Sequence, residues 1–286
     1  MRVAARTFFA LHAMAMILGL VGILVMIPHP QLWAGDPHAA AFYTFAIDRT
    51  GGSSMVLGAL AMLAWGAYAL GVRKTLVFFA IATVVSASAE LTGTKTGWPF
   101  GGYEYLSFLG YKLLGRVPYS IPLSWFYMGF ASYALADIAL ARRGMVRRAW
   151  WSIVLGAWLL TAWDLVLDPA MASPSLAYLH FWQWHETGQY FGMPLRNLVG
   201  WFGTGAAFIA LARFAWRREP DGARIGAVFP FAVYVLNVGW SMGISVAAGL
   251  WPTAVAATLL AIVPATLALR PATVRRDAEG RRLANV

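Results

Sequence analysis

The sequence predicts an all-α integral membrane protein, a bundle of about eight transmembrane helices with two long aromatic loops on the non-cytoplasmic side. Of its 286 residues, 60% are hydrophobic and 12% are charged, whereas a soluble domain carries about 25% charged residues. The charged residues are too few to cover a surface that faces water, and the composition fits a surface that faces lipid. The apolar residues also fall into long runs that polar loops separate.

Eight apolar runs of 16 to 21 residues can be marked along the chain. At about 1.5 Å per residue, the longer runs cross a hydrocarbon core of about 30 Å. Only residues 247–251 separate the last two runs, so seven helices are the alternative to eight. The runs are 8–27, 53–72, 76–91, 121–141, 149–167, 198–214, 226–246 and 252–269.

The first run follows Met1, Arg2 and Arg6, which is also how a signal peptide begins. It is long enough to span a membrane, and no small-residue cleavage site follows it, so we expect a retained helix. We expect residues 1–270 to form a single transmembrane domain. Residues 271–286 are predicted to be a basic, disordered cytoplasmic tail.

The positive charges predict the orientation of the helices. All but five of the 22 lysines and arginines fall on one side of the predicted bundle. Because basic loops stay in the cytoplasm, we expect a multi-pass protein of the cell membrane with both termini inside. The net charge of +10 then reflects topology, and nucleic acid is not an expected partner. The five residues on the outer side are Arg49, Lys95, Lys112, Arg116 and Arg196.

Three acidic residues lie near the outer ends of predicted helices, where burial is costly and a functional role is the default expectation. Asp164 and Asp168 are four residues apart and share one face of the fifth helix. Glu90 lies at the outer end of the third helix. Because Pro169 disfavours helix at the residue before it, we expect that the fifth helix ends near Asp168. Structural roles, such as a pair between Glu90 and Lys95, are the alternative.

The two outer loops, 92–120 and 168–197, are long and rich in aromatic residues. Structureless loops of this length are uncommon unless they are functional. We expect them to fold back as interfacial or re-entrant elements that cap a cavity between the helices. An interfacial aromatic belt is the alternative, but the aromatic excess lies on one side only, which favours an apolar ligand pocket.

Several kinds of chemistry have no sequence support. The chain has no cysteine and only five histidines, and the histidines do not form the clusters that a membrane di-iron centre needs. We therefore predict no metal site. There is no G-x-G-x-x-G motif, no P-loop and no G-x-S-x-G elbow. Acid–base chemistry without a cofactor, or no chemistry at all, is what the residues leave open.

Two segments resemble a known family. The first reads ELTGTKTGWPFGGYEY at 90–105, followed by VPYSIPLSW at 117–125. The second reads DLVLDPA at 164–170, with WQW at 182–184 and YFGMPLRNLVGW at 190–201. Both resemble the membrane carotenoid-biosynthesis family that contains the carotenoid 1,2-hydratases of γ-carotene and of bacterioruberin precursors. The resemblance covers roughly residues 50 to 245.

The resemblance implies hydration of the terminal double bond of an acyclic (ψ) end group in a long polyene carotenoid. Such a reaction needs a carboxylic acid that an apolar setting keeps protonated and a second carboxylate that holds water. We assign Asp164 as the acid, and Asp168 or Glu90 as the group that positions water. Aromatic rings stabilise the cation. The predicted substrate-binding residues are Trp98, Phe100, Gly101, Tyr103, Tyr105, Trp182, Trp184, Tyr190, Arg196, Asn197 and Trp201.

Two other functions fit the same residues. A carotenoid end-group cyclase uses the same protonation but quenches the cation within the substrate. A non-enzymatic membrane protein that binds or transports lipid or carotenoid needs no acid, although carboxylates near one interface are unlike the midplane sites of transporters. Other enzymes of carotenoid biosynthesis and the lipid bilayer are the expected partners, and no cofactor is expected.

Overall fold

In the computed structural model, which describes residues 1–106, 108–176, 180–216 and 225–271, nearly all of the regular structure is helical. The predicted basic tail lies outside the described residues from position 272 onward. The helices of the described residues are α1 (Arg2–Val21), α2 (Pro37–Ala69), α3 (Val72–Thr96), α4 (Ser120–Arg142), α5 (Arg148–Met171), α6 (Leu195–Ala215), α7 (Val228–Ala247), α8 (Trp251–Ala257) and α9 (Val263–Thr266).

Within the described residues, eight helical segments are long and apolar enough to cross a membrane. The prediction of an all-α bundle of about eight transmembrane helices is therefore confirmed, and the seven-helix alternative is wrong. The last segment, Trp251–Leu269, combines α8 with a π-helical turn, α9 and a final 3₁₀ turn. A short turn at Ala248 and Gly249 separates it from α7, which is why the sequence left the count open.

Several helices extend beyond the apolar runs. The longest, α2, begins at Pro37, where the side chain of Asp36 accepts hydrogen bonds from the backbone N–H groups of His38 and Ala39. Its 33 residues make it about 50 Å long, which exceeds a hydrocarbon core of about 30 Å. Helix α3 continues to Thr96, where Gly97 takes a left-handed conformation with φ of +79° and stops it.

Helix α4 lies in the centre of the bundle and is buried on nearly all sides, as a helix that is hydrophobic all round should be. Its neighbours approach closely at glycines. A Cβ atom on Gly129 would lie 2.5 Å from the ring of Phe208, and one on Gly156 of α5 would lie 3.1 Å from the backbone of Tyr133. Without a hydrophobic force between helices in lipid, such close packing holds the bundle together.

The two long loops form short antiparallel strands, and residues of both line a cavity between the helices, which fits the expectation that the loops fold back over one. Strand β1 (Tyr103–Tyr105) of the first loop pairs with β4 (Trp182–Trp184) of the second. Strands β2 (Lys112–Leu113) and β3 (Val117–Pro118) pair within the first loop. Pairing satisfies the backbone hydrogen bonds of segments that leave the helices, and it links the two loops.

The predicted end of α5 at Asp168 is also wrong. The helix continues to Met171 with Pro169 inside it. Asp168, Pro169, Ala170 and Met171 are all buried, so tertiary packing outweighs the local preference of the residue that precedes proline. The continuation keeps Asp168 on the same helical face as Asp164.

At the opposite end of the bundle, the structure places a fourth buried acid that the sequence analysis did not single out. Asp137 of α4 is 2% exposed and forms ion pairs with Arg148 of α5 at 3.2 Å and Arg213 of α6 at 3.4 Å. Arg213 also donates to the hydroxyl of Tyr133. This cluster ties the ends of three helices together, which is a structural role.

The predicted orientation can be tested by cysteine labelling, because the chain has no cysteine of its own. Leu114 is exposed between α3 and α4, and Met145 is exposed between α4 and α5. We expect a membrane-impermeant maleimide to label Leu114→Cys on intact cells, and to label Met145→Cys only after permeabilisation. The reverse pattern would show that the termini are outside.

Candidate active site

The three predicted carboxyl groups lie at the same end of the bundle. Asp164 and Asp168 come from the last turns of α5, and Glu90 comes from the last turns of α3. Their exposed fractions are 0%, 5% and 3%. Buried carboxyl groups need hydrogen-bond donors, and the donors come from α4, α6 and the first outer loop.

Asn197 joins the two aspartates. It lies in the first turn of α6, and its Nδ2 atom donates to Asp164 Oδ2 at 2.7 Å and to Asp168 Oδ2 at 2.6 Å. An amide nitrogen carries two hydrogens, so one side chain can donate to both carboxyl groups. The other oxygen of Asp164, Oδ1, is buried and has no hydrogen-bond partner among the described residues.

Glu90 is held by three aromatic donors. The hydroxyls of Tyr103 and Tyr105 donate to Oε2, the latter at 2.8 Å. The indole Nε1 of Trp125 donates to Oε1 at 2.8 Å. Burial raises the pKa of Tyr103 and Tyr105 well above the usual range of a tyrosine, and the negative charge of Glu90 acts in the same direction. Both tyrosines therefore stay protonated and keep donating to Glu90.

The pairing of β1 with β4 explains why these tyrosines face inward. Tyr103 lies opposite Trp184, and Tyr105 lies opposite Trp182. Because side chains alternate along a strand, these four rings point to one face, while Glu104 and Gln183 point outward and bond to each other at 2.6 Å. The two-stranded ribbon thus presents an aromatic face to the carboxyl groups.

Phe100 packs the first outer loop against the helices of the bundle. Its ring lies between α3 and α6 at positions that lack side chains: a Cβ atom on Gly93 would lie 2.7 Å from the ring, and one on Gly200 would lie 2.5 Å from it. The ring is 2% exposed. Glycine is required at both positions because backbone and ring approach so closely.

A cavity of about 570 Å³ lies between these elements, within the range of about 300–1,000 Å³ that ligand pockets occupy. Glu90, Asp168 and Asn197 line it, whereas Asp164 does not. Trp125 and Trp201 stack on one another in its wall with 4.0 Å between ring centroids. The cavity therefore combines two carboxyl groups with a mostly apolar surface that includes many aromatic rings.

Comparison with known proteins identifies the family. The profile of a family described as carotenoid biosynthesis protein matches residues 50–264, which is most of the chain and includes all three carboxyl groups. The chain belongs to the carotenoid biosynthesis protein family. The resemblance in the two outer-loop segments is confirmed.

One relative from the comparisons is bisanhydrobacterioruberin hydratase of Haloarcula japonica. It is 29% identical to this chain over 209 residues, which cover 71% of this chain and 64% of that protein. The chain thus spans less than two thirds of the length of this relative. No solved structure matches the chain.

The structure brings most of the predicted site residues of this carotenoid biosynthesis protein to one place. Asp164 does not line the cavity, but it shares the amide of Asn197 with Asp168, and both of these residues line it. The predicted residues that line the cavity are Glu90, Phe100, Tyr103, Tyr105, Asp168, Trp182, Trp184, Asn197 and Trp201.

Four predicted binding residues lie elsewhere. Trp98 is 72% exposed, because the chain turns outward at Gly97 after α3 ends. Arg196 forms an ion pair with Glu186 and does not line the cavity. A Cβ atom on Gly101 would face Glu186 and Arg196, outside the cavity. Tyr190 does not line the cavity either, but its buried hydroxyl has no hydrogen-bond partner among the described residues.

Sequence reasoning missed a second polar group in the cavity wall. The side chain of Asn237 in α7 donates to His12 Nε2 at 3.1 Å and accepts from the Tyr127 hydroxyl at 2.8 Å. His12 also bonds to the backbone oxygen of Ser54 at 2.7 Å. A polar residue in the middle of an apolar run, such as Asn237 or His12, is the signal that could have pointed to it.

The tight packing of Phe100 against α6 can be tested with two glycine variants on that helix. Gly200→Ala places a methyl group against the ring, and we expect a loss of about 1–3 kcal/mol in stability, since overpacking shifts neighbours. The measurement is the midpoint of thermal unfolding in detergent. Gly203→Ala is the control, because a Cβ atom there meets nothing within 4 Å. Equal midpoints for both variants would contradict the tight fit.

Proposed function

We propose that this protein is a carotenoid hydratase that adds water across the terminal 1,2 double bond of a ψ end group. The observation that carries the proposal is the cavity in which Asp168 and Glu90 face one aromatic-lined space. The family and the hydratase named above support the substrate class and the reaction type. The roles of individual residues follow from the contacts of each carboxyl group.

The aspartate pair is the acid. Two carboxyl groups that share one amide nitrogen in a water-poor interior cannot both be charged without a large electrostatic cost, so the pair holds a proton. Asp168 is the member that lines the cavity, and it delivers the proton to carbon 2 of the alkene. Asp164 binds the same amide of Asn197, and its negative charge keeps Asp168 protonated until the alkene accepts the proton. The cation that forms on the substrate then offsets the second negative charge of the pair.

Protonation of carbon 2 leaves a tertiary cation at carbon 1. The rings of Trp125, Trp201, Tyr103 and Trp184 line this part of the cavity, and each ring face stabilises a cation by about 0.5–2 kcal/mol. The negative charge of Glu90 acts in the same direction. No electrons leave the substrate, so the reaction needs no redox partner.

Glu90 positions the water. A carboxylate has about four acceptor sites, and Tyr103, Tyr105 and Trp125 occupy three of them. One site on Oε1 can therefore accept a hydrogen bond from water. The water oxygen attacks carbon 1, and the proton that it loses passes to a carboxylate, which balances the proton given to carbon 2. The product is a tertiary alcohol.

Charge-removing variants test these roles. We expect Asp168→Asn and Asp164→Asn to lower kcat by about 10²–10⁴-fold, which is the usual contribution of general acid catalysis, while the protein still folds. The measurement is product formation from lycopene or another ψ-end carotenoid in detergent. Near-normal turnover by both variants would exclude the pair as the acid.

Glu90 has a matched control in Glu104, which points to the outer face of the ribbon and is exposed. We expect Glu90→Gln to lose most activity, because an amide neither stabilises the cation nor accepts the proton of the water. Glu104→Gln should keep the activity of the unmodified protein. If both variants behave alike, Glu90 has no role in the reaction.

The mass of the product separates hydration from cyclisation. In water labelled with ¹⁸O, we expect a product that is heavier than the substrate by one labelled water, since the hydroxyl oxygen comes from solvent. Cyclisation would give a product with the mass of the substrate and no label. That outcome, with activity still dependent on Asp168, would favour the cyclase.

A further inference from the structure

The cavity extends away from the carboxyl groups to α1 and α2. The part of its lining that comes from these two helices is mostly apolar, and among the described residues it includes one charged side chain, Arg49. The proposed chemistry uses none of these residues. They include Leu11, Met14, Leu18, Gly19, Val21, Phe42, Phe45, Ala46 and Thr50, and Gly22 lines the cavity from the helical turn that follows α1.

Some of these side chains also lie on the outer surface of the bundle. Met14 and Leu18 of α1 are 53% and 61% exposed, and Phe42 and Phe45 of α2 are 62% and 63% exposed. A side chain that lines a cavity and is also exposed marks the place where the cavity opens. On α1, positions 11, 14, 18 and 21 follow helical spacing and form one stripe along the helix.

The opening faces lipid along α1. Leu11 to Val21 fall inside the first membrane-spanning segment, Arg2–Met26, so the stripe lies at the depth of the hydrocarbon core. Arg49, the charged residue, is paired with Asp48 at 3.0 Å and lies over the ring of Phe45. The cavity thus joins the acid site to the membrane interior through an apolar passage.

Small residues keep this passage open. A Cβ atom on Gly19 would meet only the methyl group of Thr50 at 3.5 Å, and one on Gly22 would meet nothing within 4 Å. Both glycines line the cavity. A side chain added at Gly22 therefore starts from open space at the wall of the passage.

We infer that the gap between α1 and α2 is a lateral portal that holds the apolar tail of a long linear isoprenoid while the end of the chain reaches the acid site. This inference rests on the proposed function and deepens it. Pockets of about 300–1,000 Å³ enclose drug-sized ligands. A C40 or C50 polyene is larger than such a ligand and does not fit inside the cavity as a whole. The rest of the chain then stays in the bilayer, where it is soluble.

The portal has a consequence for specificity. The cavity contacts only one end group and the adjacent part of the chain, so the protein selects the end of the substrate and not its total length. A symmetric polyene can present either end in turn. Helix α1 contributes one wall of the portal and lies outside the family match at residues 50–264. The family match therefore gives no information about this wall.

Closing the portal tests the inference by kinetics. We expect Gly22→Phe to raise KM for a long carotenoid by about tenfold or more, because it removes binding without touching the acid site. A C15 hydrocarbon with the same end group fits inside the cavity and should be hydrated at nearly the unmodified rate. Gly239→Phe is the control, since Gly239 is exposed on α7, has open space around it and does not line the cavity.

A spin label tests occupancy without turnover. In the Asp168→Asn background, a nitroxide on Leu18→Cys should lose mobility when carotenoid is added, because the polyene lies against it. A nitroxide on Val84→Cys, an exposed position of α3 outside the cavity, should not change. Because the chain has no cysteine, each label is unique.

The two experiments distinguish a failure of the portal from a failure of the proposed reaction. If the Leu18 label does not respond to carotenoid, or if Gly22→Phe affects long and short substrates equally, the portal is wrong even when the hydratase is active. If no substrate gains water but the Leu18 label is immobilised by carotenoid, the proposed reaction is wrong and the portal stands.

Discussion

The burial of three carboxyl groups at one end of a membrane bundle is the constraint on which the rest of the structure depends. Each group would be very unstable in an apolar interior without donors. The donors that satisfy them are the neutral side chains of Asn197, Tyr103, Tyr105 and Trp125. Neutral donors stabilise the carboxyl groups without forming ion pairs with them, so these groups can still exchange protons. At the other end of the bundle, Asp137 is paired with arginines and cannot serve in this way.

The position of each donor requires a particular element of the fold. Asn197 meets both aspartates because α5 continues past Asp168 and because α6 begins two residues before Asn197. The tyrosines meet Glu90 because β1 pairs with β4, which turns alternate side chains inward. Phe100 fixes the start of β1 against two glycines. The two long loops are therefore part of the site, and their pairing covers the end of the bundle where the carboxyl groups lie.

The same cavity accounts for the membrane setting of the proposed hydratase. An apolar polyene and water do not mix, and a hydratase has to bring them together. The aromatic face and the α1–α2 passage are suited to the hydrocarbon, while the carboxyl cluster lies at one end of the bundle. The proposed reaction takes place where these two environments meet, and the aromatic rings limit the access of water to the cation.

The sequence by itself determined the class of the fold and pointed to three acidic residues that the structure buries at one end of the bundle. The number of helices follows from apolar runs, and the candidate acids follow from the cost of burying charge, because both depend only on composition along one segment. It could not determine that Asn197 bridges two aspartates while Arg196 beside it points away, or that Trp98 is exposed while Phe100 is buried. It also gave no sign that α1 and α2 form part of the cavity. These features depend on contacts between segments far apart in the chain, and local patterns carry no information about which distant side chains will meet.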